Sequence, residues 1–305
     1  MSAPRILAAA TAAFLTGCQT QPASLAPTLA PAPLAAGPRA VDAWLLGAPR
    51  AVEAASAPEA APLASTNVTA ALLGAAIRCV EEQAHVISAN IANASTPAYK
   101  RAVVQVSTAS VEAGGNRYQV PVVERAYTVF AAGALEVTDR CLDVAIDGVG
   151  LYAVRCADGQ TAYTRDGSFQ IDAGGRIVTH AGHVVTPTVT VPLDALEVSI
   201  DPAGVVSGRT ASAPDVVTQF GRLGLHRFVD PSGLRFEEGL LGYATERSGR
   251  PAAGTPGSGG FGVLKQGFRE GSNVDVAREL VNLQLLMKQQ ETLTRALAHF
   301  GMIAP

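Results

Sequence analysis

The feature that most constrains the fold of this chain is a change in the spacing of its apolar residues. From Thr69 onward they recur at helical spacing until Pro97 ends the pattern, and a second helical stripe begins after Asn273. Between these segments apolar residues alternate with a period of two around Gly-containing turns, which predicts β-hairpins. We therefore expect an α+β fold in which N- and C-terminal coiled-coil-like helices flank a mainly antiparallel β-domain.

The C-terminal helical segment carries an apolar stripe whose steps alternate between three and four residues, as in a coiled-coil seam, with Gln290 as a polar interruption. The residues of this expected assembly seam are Val276, Leu280, Leu283, Met287, Leu293 and Leu297. Ser272 or Asn273 is expected to cap the helix, and Asp275 in its first turn suits the helix dipole. The matching stripes predict that the two terminal helices pack along each other.

Several turns are expected in the β-rich middle of the chain. The expected turns are Gly148-Val149, Asp166-Gly167, Gly174-Gly175 and Pro202-Ala203-Gly204. In the first of these hairpins Cys141 would lie opposite Cys156, where cross-strand Cβ atoms are about 4.5–5.5 Å apart. A disulfide between them is therefore expected in an oxidising compartment. The alternative is two reduced cysteines, because a tight turn would put Cys141 at a hydrogen-bonded pair, where the backbones are further apart.

The first 66 residues differ in composition from the rest of the chain. An apolar run follows Arg5, and the sequence Leu-Thr-Gly-Cys ending at Cys18 resembles the lipobox of a bacterial lipoprotein signal. Residues 19–66 are rich in Ala and Pro and predict an extended, disordered linker. We therefore expect a signal peptide over residues 1–18, lipidation at Cys18 and a membrane anchor; the alternative is a start site placed too far upstream.

Composition and motif spacing argue against several classes of function. The net charge of −3 does not suit a nucleic-acid partner. The sequence contains no run of about 18 apolar residues, so no membrane-spanning helix is predicted. Asp166 and Asp172 lie beside Gly turns, where Asp bonds its own backbone. His180 and His183 lack a carboxylate or Cys partner at ligand spacing. No enzyme activity, metal or cofactor is expected.

A polar motif closes the first helix and carries a resemblance to a known family. Its residues are Asn90, Asn93, Thr96, Pro97, Tyr99 and Lys100. They are similar to the Asn-Asn-Thr-Pro-Gly-(Tyr/Phe)-Lys signature of flagellar rod and hook proteins. The segments LDVAIDGVGLYAV, AYTRDGSFQIDAGGRIVTHAGHVVTP and GSNVDVARELVNL resemble, in the same order, segments of the distal-rod members. The likeness extends from about Asn67 to Phe300.

The resemblance implies a fold and a role. Residues 67–100 and 272–303 would form a helical polymerisation domain, and residues 101–271 a β-rich domain. The protein would polymerise with itself and with other flagellar rod and hook proteins into the periplasmic drive shaft of the basal body. The polar motif would then be a geometric joint. The alternative is a lipid-anchored periplasmic interaction protein that reuses the rod-protein fold at the outer membrane.

The chain departs from the family pattern in three places. Ala98 stands where the family usually has Gly, so a turn that needs positive φ would be strained there. The segment from Arg101 to about Asn116 is short compared with that of the distal rod protein. A lipobox at the N-terminus is also atypical, because members of the family are exported through the flagellar apparatus.

Overall fold

The computed structural model describes residues 65–113, 115–237 and 240–299. The expected signal, the linker and Cys18 therefore lie outside the described residues. The two long helices are α1 (Ser65–Ala92) and α2 (Val276–His299). The described strands are β1 (Ala102–Ala113), β2 (Asn116–Thr128), β3 (Leu135–Val137), β4 (Val144–Asp147), β5 (Tyr152–Arg155), β6 (Thr161–Thr164), β7 (Phe169–Ile171), β8 (Ile177–Thr179), β9 (Val184–Thr186), β10 (Ala195–Ile200), β11 (Val205–Thr210), β12 (Ala213–Arg222), β13 (Leu225–Arg227), β14 (Arg235–Glu237), β15 (Leu241–Tyr243), β16 (Ala252–Gly254), β17 (Val263–Gln266) and β18 (Phe268–Glu270).

The first two strands form a long two-stranded hairpin that is not among the expected ones. Its register runs from Ala102 opposite Thr128 to Ala113 opposite Asn116, with one irregularity after Gln105. Both strands contact α1, and α2 contacts α1 as well. Helix α1 therefore packs against both the long hairpin and α2. These contacts cover its apolar residues and stabilise the helix outside the β-domain.

The β-domain is built from antiparallel pairs. A seven-stranded sheet has the order β14-β15-β6-β5-β9-β8-β7, and a three-stranded sheet has the order β10-β11-β12. The remaining strands pair two by two, β4 with β17, β3 with β18 and β13 with β16. A buried apolar cluster joins residues of both larger sheets, and within it the rings of Tyr152 and Phe169 meet edge to face at 4.9 Å. The predicted antiparallel β-domain between two helices is confirmed.

Two of the four expected hairpins form, and two do not. Strands β10 and β11 pair across Pro202-Ala203-Gly204, and β7 and β8 pair across Gly174-Gly175. The expected hairpin at Asp166-Gly167 is wrong, because β6 pairs with β5 and β15 and does not pair with β7. The chain leaves β6 at this point for the other end of the sheet.

The expected hairpin at Gly148-Val149 is also wrong, and so is the expected Cys141–Cys156 disulfide, which depends on that hairpin. Strand β4 pairs with β17, so that Ile146 faces Leu264, and no ladder joins β4 to β5. The carbonyl of Gly148 accepts a hydrogen bond from the Arg165 guanidinium, as described below. No disulfide joins the two cysteines, and the Cys156 thiol lies 3.6 Å from the hydroxyl of Tyr243.

The two terminal helices pack against each other, as the stripes predict. Gln290 of α2 donates a hydrogen bond of 3.2 Å to Glu81 of α1. Within the described residues, neither helix is long and apolar enough to cross a membrane.

Candidate functional site: the junction between the helices and the β-domain

The polar motif forms the exit from α1. Helix α1 ends at Ala92, and the Asn93 side-chain amide donates to the Ala89 carbonyl at 2.9 Å. The Thr96 hydroxyl donates in turn to Asn93 Oδ1 at 3.1 Å. These bonds satisfy groups that a helix end otherwise leaves without partners.

Asn90 fixes the start of the long hairpin to the last turn of α1. Its side chain is buried, with 1% of the residue exposed. Asn90 Oδ1 accepts from the backbone N–H of Ala102 at 2.9 Å, and Asn90 Nδ2 donates to the Ala102 carbonyl at 2.8 Å. The Tyr99 hydroxyl donates to the same Oδ1 at 3.2 Å. One amide thus sets both the position and the register of β1 relative to the helix.

Ala98 has the positive φ that the family resemblance implies for this position. Its φ is 58°, and it is the one non-glycine residue with a positive φ among the described residues. Its N–H donates to the Glu270 carbonyl at 2.8 Å, and its methyl group is buried. A left-handed conformation costs an L-residue about 1–2 kcal/mol, so the expected strain at Ala98 is present.

Tyr99 places a neutral hydroxyl inside the junction. Burial raises its pKa to about 12, and the negative charge of Glu279 adds to the shift. The phenol therefore stays protonated at neutral pH and can donate to Asn90. The Tyr99 carbonyl accepts from the backbone N–H of Asn273 at 3.2 Å, which brings the entry to α2 against the exit from α1.

Lys100 ends the motif in a buried cluster of charges. Its ammonium group forms an ion pair with Glu270 Oε1 and donates to the Ala131 carbonyl at 3.0 Å. Arg165 Nε donates to Glu270 Oε2 at 2.8 Å, and the Gly133 N–H donates to Oε1 at 2.9 Å. The Lys100, Glu270 and Arg165 side chains are 5%, 1% and 8% exposed, so water screens the cluster little.

The pKa shifts of this cluster follow from its burial and its charges. Burial lowers the pKa of Lys100, and the neighbouring Glu270 carboxylate partly opposes the change. Burial by itself raises the pKa of Glu270, but Arg165 and then Lys100 lower it, so that the net shift is downward. The carboxylate is therefore held ionised between two cations.

The rest of the Arg165 guanidinium holds the loop after β4. Its Nη atoms donate to the carbonyls of Ile146, Gly148 and Gly150 at 2.8–2.9 Å. This loop requires glycine at position 148, because φ there is 120° and a Cβ would lie only 2.7 Å from the Cα of Gly262. Arg165 thus connects the β-domain to Glu270 and, through it, to the polar motif.

Asn273 has a different role from the expected helix cap. Its Oδ1 accepts from the Arg101 N–H at 2.6 Å, and its Nδ2 donates to the carbonyls of Val129 and Ala131 at 2.8 and 3.0 Å. The capping role belongs to Asp275, whose Oδ1 accepts from the Arg278 N–H at 3.1 Å. Asn273 therefore joins three segments at the junction.

A second ion pair connects β1 to the first turn of α2. Arg101 Nε lies 2.6 Å from Glu279 Oε1, and the Glu279 side chain is 2% exposed. Sequence reasoning did not single out Arg101, Arg165, Glu270, Asn273 or Glu279 as site residues. For four of them the long sequence separation from the motif explains this, because no local pattern relates Glu270 to Lys100. Arg101 directly follows the motif, but its partner Glu279 is equally distant.

The expected assembly seam divides into a covered part and an exposed part. Leu297 is buried, and Leu283 and Leu293 are half-buried on the side of α2 that carries Gln290. The exposed fractions of Val276, Leu280 and Met287 are 39%, 51% and 61%. Because residues four and seven apart share a helix face, these three form one exposed apolar stripe beside the covered one.

Comparison with known proteins shows the family of this chain. A model of the D1 domain of flagellar hook protein FlgE/F/G matches residues 145–208. The flagellar basal-body rod protein FlgG of Buchnera aphidicola subsp. Schizaphis graminum is 41% identical over 51% of this chain and 59% of its own length. FlgG of Buchnera aphidicola subsp. Acyrthosiphon pisum is 36% identical over 70% of this chain and 88% of its own length. FlgG of Agrobacterium fabrum is 34% identical over 65% of this chain and 82% of its own length. This chain belongs to the flagellar rod and hook protein family.

The matched D1 segment of this rod and hook family member extends from β4 to β11. It therefore contains Arg165 and the loop that Arg165 holds, whereas the polar motif and Glu270 lie outside it. The junction is the place where the D1 segment meets the two terminal helices.

The acidic and histidine residues that could have suggested chemistry have structural partners in this family member. Asp172 accepts from the backbone and side chain of Arg176, which lowers its pKa, and Asp166 accepts from the Ser168 N–H at 3.0 Å. His180 Nδ1 lies 2.7 Å from the Gln170 amide. Among the described residues, no group of three or more His, Cys, Asp or Glu side chains could hold a metal ion.

Proposed function

We propose that this protein is a structural subunit of the flagellar basal-body rod, which polymerises with itself and with related rod and hook proteins and transmits torque through the periplasm. Relatives named as basal-body rod proteins support the proposal. The observation that carries it is the junction, where hydrogen bonds and buried ion pairs tie both terminal helices to the β-domain. A subunit that bears torque needs such a joint, because each of these directional bonds opposes rotation of one part against the other.

The assembly surface in this proposal is the exposed stripe of Val276, Leu280 and Met287 on α2. Three apolar side chains in line on a helix that already has a partner provide area for a further helix to cover. One subunit type that repeats through a contact that does not close produces a tube or filament. The motif residues from Asn90 to Lys100 then set the angle at which the β-domain leaves the tube wall.

The test is complementation of a strain that lacks this protein. Leu280→Glu and Met287→Glu should abolish rods in electron micrographs of purified basal bodies, while far-UV circular dichroism of the purified variants stays unchanged. Gln289→Glu is the matched control, since this exposed residue of α2 lies away from the stripe. Normal rods and motility with both stripe variants would contradict this assembly surface. Normal rods in the deletion strain would contradict the function.

A second candidate function is a lipid-anchored periplasmic interaction protein with a rod-protein fold. The sequence ending at Cys18 favours it. Under this proposal labelled palmitate enters the protein and is lost in Cys18→Ser, and the chain fractionates with membranes and not with basal bodies. Absence of label together with recovery in basal bodies would exclude it.

A further inference from the structure

A cavity of about 380 Å³ beside the junction is lined by an unusual combination of side chains. Its polar lining is cationic, from Lys100, Arg165 and Arg227, and its apolar lining includes the rings of Phe130 and Phe228. Among the described residues, no carboxylate lines this cavity. The combination suits an anionic group carried on an apolar segment.

The cavity wall carries an excess of buried positive charge. Lys100 and Arg165 share the single carboxylate of Glu270, so two cations face one anion in a site with little exposure to water. Among the described residues, the three N–H groups of the Lys100 ammonium meet two acceptors, Glu270 and the Ala131 carbonyl. An uncompensated buried charge is costly, and a carboxylate that entered the cavity would compensate it.

Arg227 adds a third cation at the accessible side of the cavity. Its side chain is exposed; the guanidinium donates to the Gly259 carbonyl at 3.3 Å and lies over the Phe261 ring at 5.3 Å. In the described part of the chain it has no ion pair with a carboxylate. It is therefore available to a carboxylate from outside. The neighbouring His226 is kept neutral, because burial lowers its pKa.

The chain itself carries a protrusion of the complementary kind. Thr210 pairs with Ala213 and Gly208 with Thr218, so that residues 214–217 lie opposite a single residue of β11. Such a mismatch bends the strand outward as a bulge. The bulge presents Asp215, Val216 and Val217, and the two valines are 58% and 60% exposed. Asp215 has no ion-pair partner among the described residues.

The bulge lies in the first half of β12, and the cavity residues His226 and Arg227 follow the end of this strand. Eight residues lie between Val217 and His226, and five of them continue β12, which rises about 3.3 Å per residue. The bulge and the cavity are therefore two different surfaces of the subunit. A contact between different surfaces of identical subunits is heterologous and propagates from copy to copy.

We propose that the Asp215–Val217 bulge of one subunit inserts into the cationic cavity of the next copy of this chain, with the Asp215 carboxylate directed to Arg227 and Lys100. The proposal rests on the polymerising function and gives it a specific contact between β-domains. It differs from the contact of the α2 stripe, which joins helices.

The direct test is photo-crosslinking in cells that express full-length protein in two tagged sizes. A photoreactive phenylalanine analogue at Val217 should link the two sizes, and mass spectrometry should place the link in the peptide that contains residues 226–231. The same probe at Val106, an exposed valine of the long hairpin, is the control and should give no link to that peptide. A link from position 217 to another protein, to another segment, or no link at all overturns the proposal.

Charge exchange tests the ionic part of the contact. Asp215→Arg and Arg227→Glu should each lower the yield of the 217 crosslink at least about tenfold, and the combined variant should restore it. Folding is checked by circular dichroism, since both side chains are exposed. A combined variant as defective as the single ones would overturn the pairing.

The outcome is separable from that of the proposed function. Rods in basal bodies without the specific crosslink would contradict the contact and leave the rod function intact. The crosslink in cells whose basal bodies lack this protein would support the contact and contradict the rod function.

Discussion

Replacing Glu270 with glutamine is expected to lower the free energy of unfolding by about 3–5 kcal/mol. The Glu270 side chain is 1% exposed and is the carboxylate partner of both Lys100 and Arg165. Glu270→Gln removes the negative charge and leaves two buried cations facing each other, which is the costly way to break a buried ion pair. The loss should therefore be several times that of an exposed pair.

Urea unfolding of the full chain, followed by far-UV circular dichroism, measures this loss. With a slope of about 2–3 kcal/mol per molar urea, the midpoint should fall by about 1–2.5 M. Glu237→Gln is the matched control, because Glu237 also pairs with an arginine Nε at 2.8 Å but the side chains of Arg235 and Glu237 are 53% and 50% exposed. The control should cost at most about 1 kcal/mol. Equal losses in the two variants would refute the reasoning from burial.

The pH dependence of the Glu270→Gln effect provides a second measurement. Because the folded protein lowers the pKa of Glu270, the stabilisation is complete above its unfolded value of 4.5 and is lost as the pH falls through the lower folded pKa. The difference in unfolding free energy between wild type and Glu270→Gln should therefore shrink as the pH is lowered below 4.5. A difference that stays constant or grows in acid would contradict the assigned direction.

Three other predictions concern the junction and the cysteines. In urea unfolding, Ala98→Gly should raise the free energy of unfolding slightly, by up to about 1 kcal/mol, whereas Ala98→Val should lower it by at least about 1 kcal/mol, because a branched side chain is strained at φ 58°. Asn90→Ala should cost about 2–4 kcal/mol in the same assay, since it leaves the buried N–H and carbonyl of Ala102 without partners, and Asn93→Ala should cost about 1 kcal/mol. Non-reducing mass spectrometry should find no peptide that links Cys141 to Cys156, and recovery of that peptide would contradict the pairing of β4 with β17.

Periodicity was sufficient to predict the helices and the class of the β-domain, because these features depend on local spacing. The pairing of strands was predicted only where the two strands follow each other closely, as at Pro202-Ala203-Gly204. The partner of β4 is β17, more than a hundred residues later, and nothing local marks that choice. The long hairpin was missed although a signal was present, since Gly114 and Gly115 lie between two alternating segments.

Only part of the candidate site could be predicted from the sequence. Asn90, Asn93, Tyr99 and Lys100 were expected from the family motif, and the structure places them together at the exit from α1. Residues that complete the junction, such as Arg165 and Glu270, were not expected, because a single Glu or Arg in a strand more often faces solvent. The alternation of apolar and polar residues in β18 does not predict the burial of Glu270, since this strand has only three residues and Glu270 is the last of them.

The polar character of the motif follows from what a joint between two rigid parts needs. An apolar contact tolerates sliding and rotation, because burial of apolar area has little directional preference. Asn90 instead binds both backbone groups of Ala102, and Asn273 binds Arg101, Val129 and Ala131 together. Each of these bonds is lost when its partner moves by about an ångström or turns by several tens of degrees. Unreactive, directional side chains at both helix connections therefore define one orientation of the helices relative to the β-domain, which is the property that the proposed torque-bearing subunit requires.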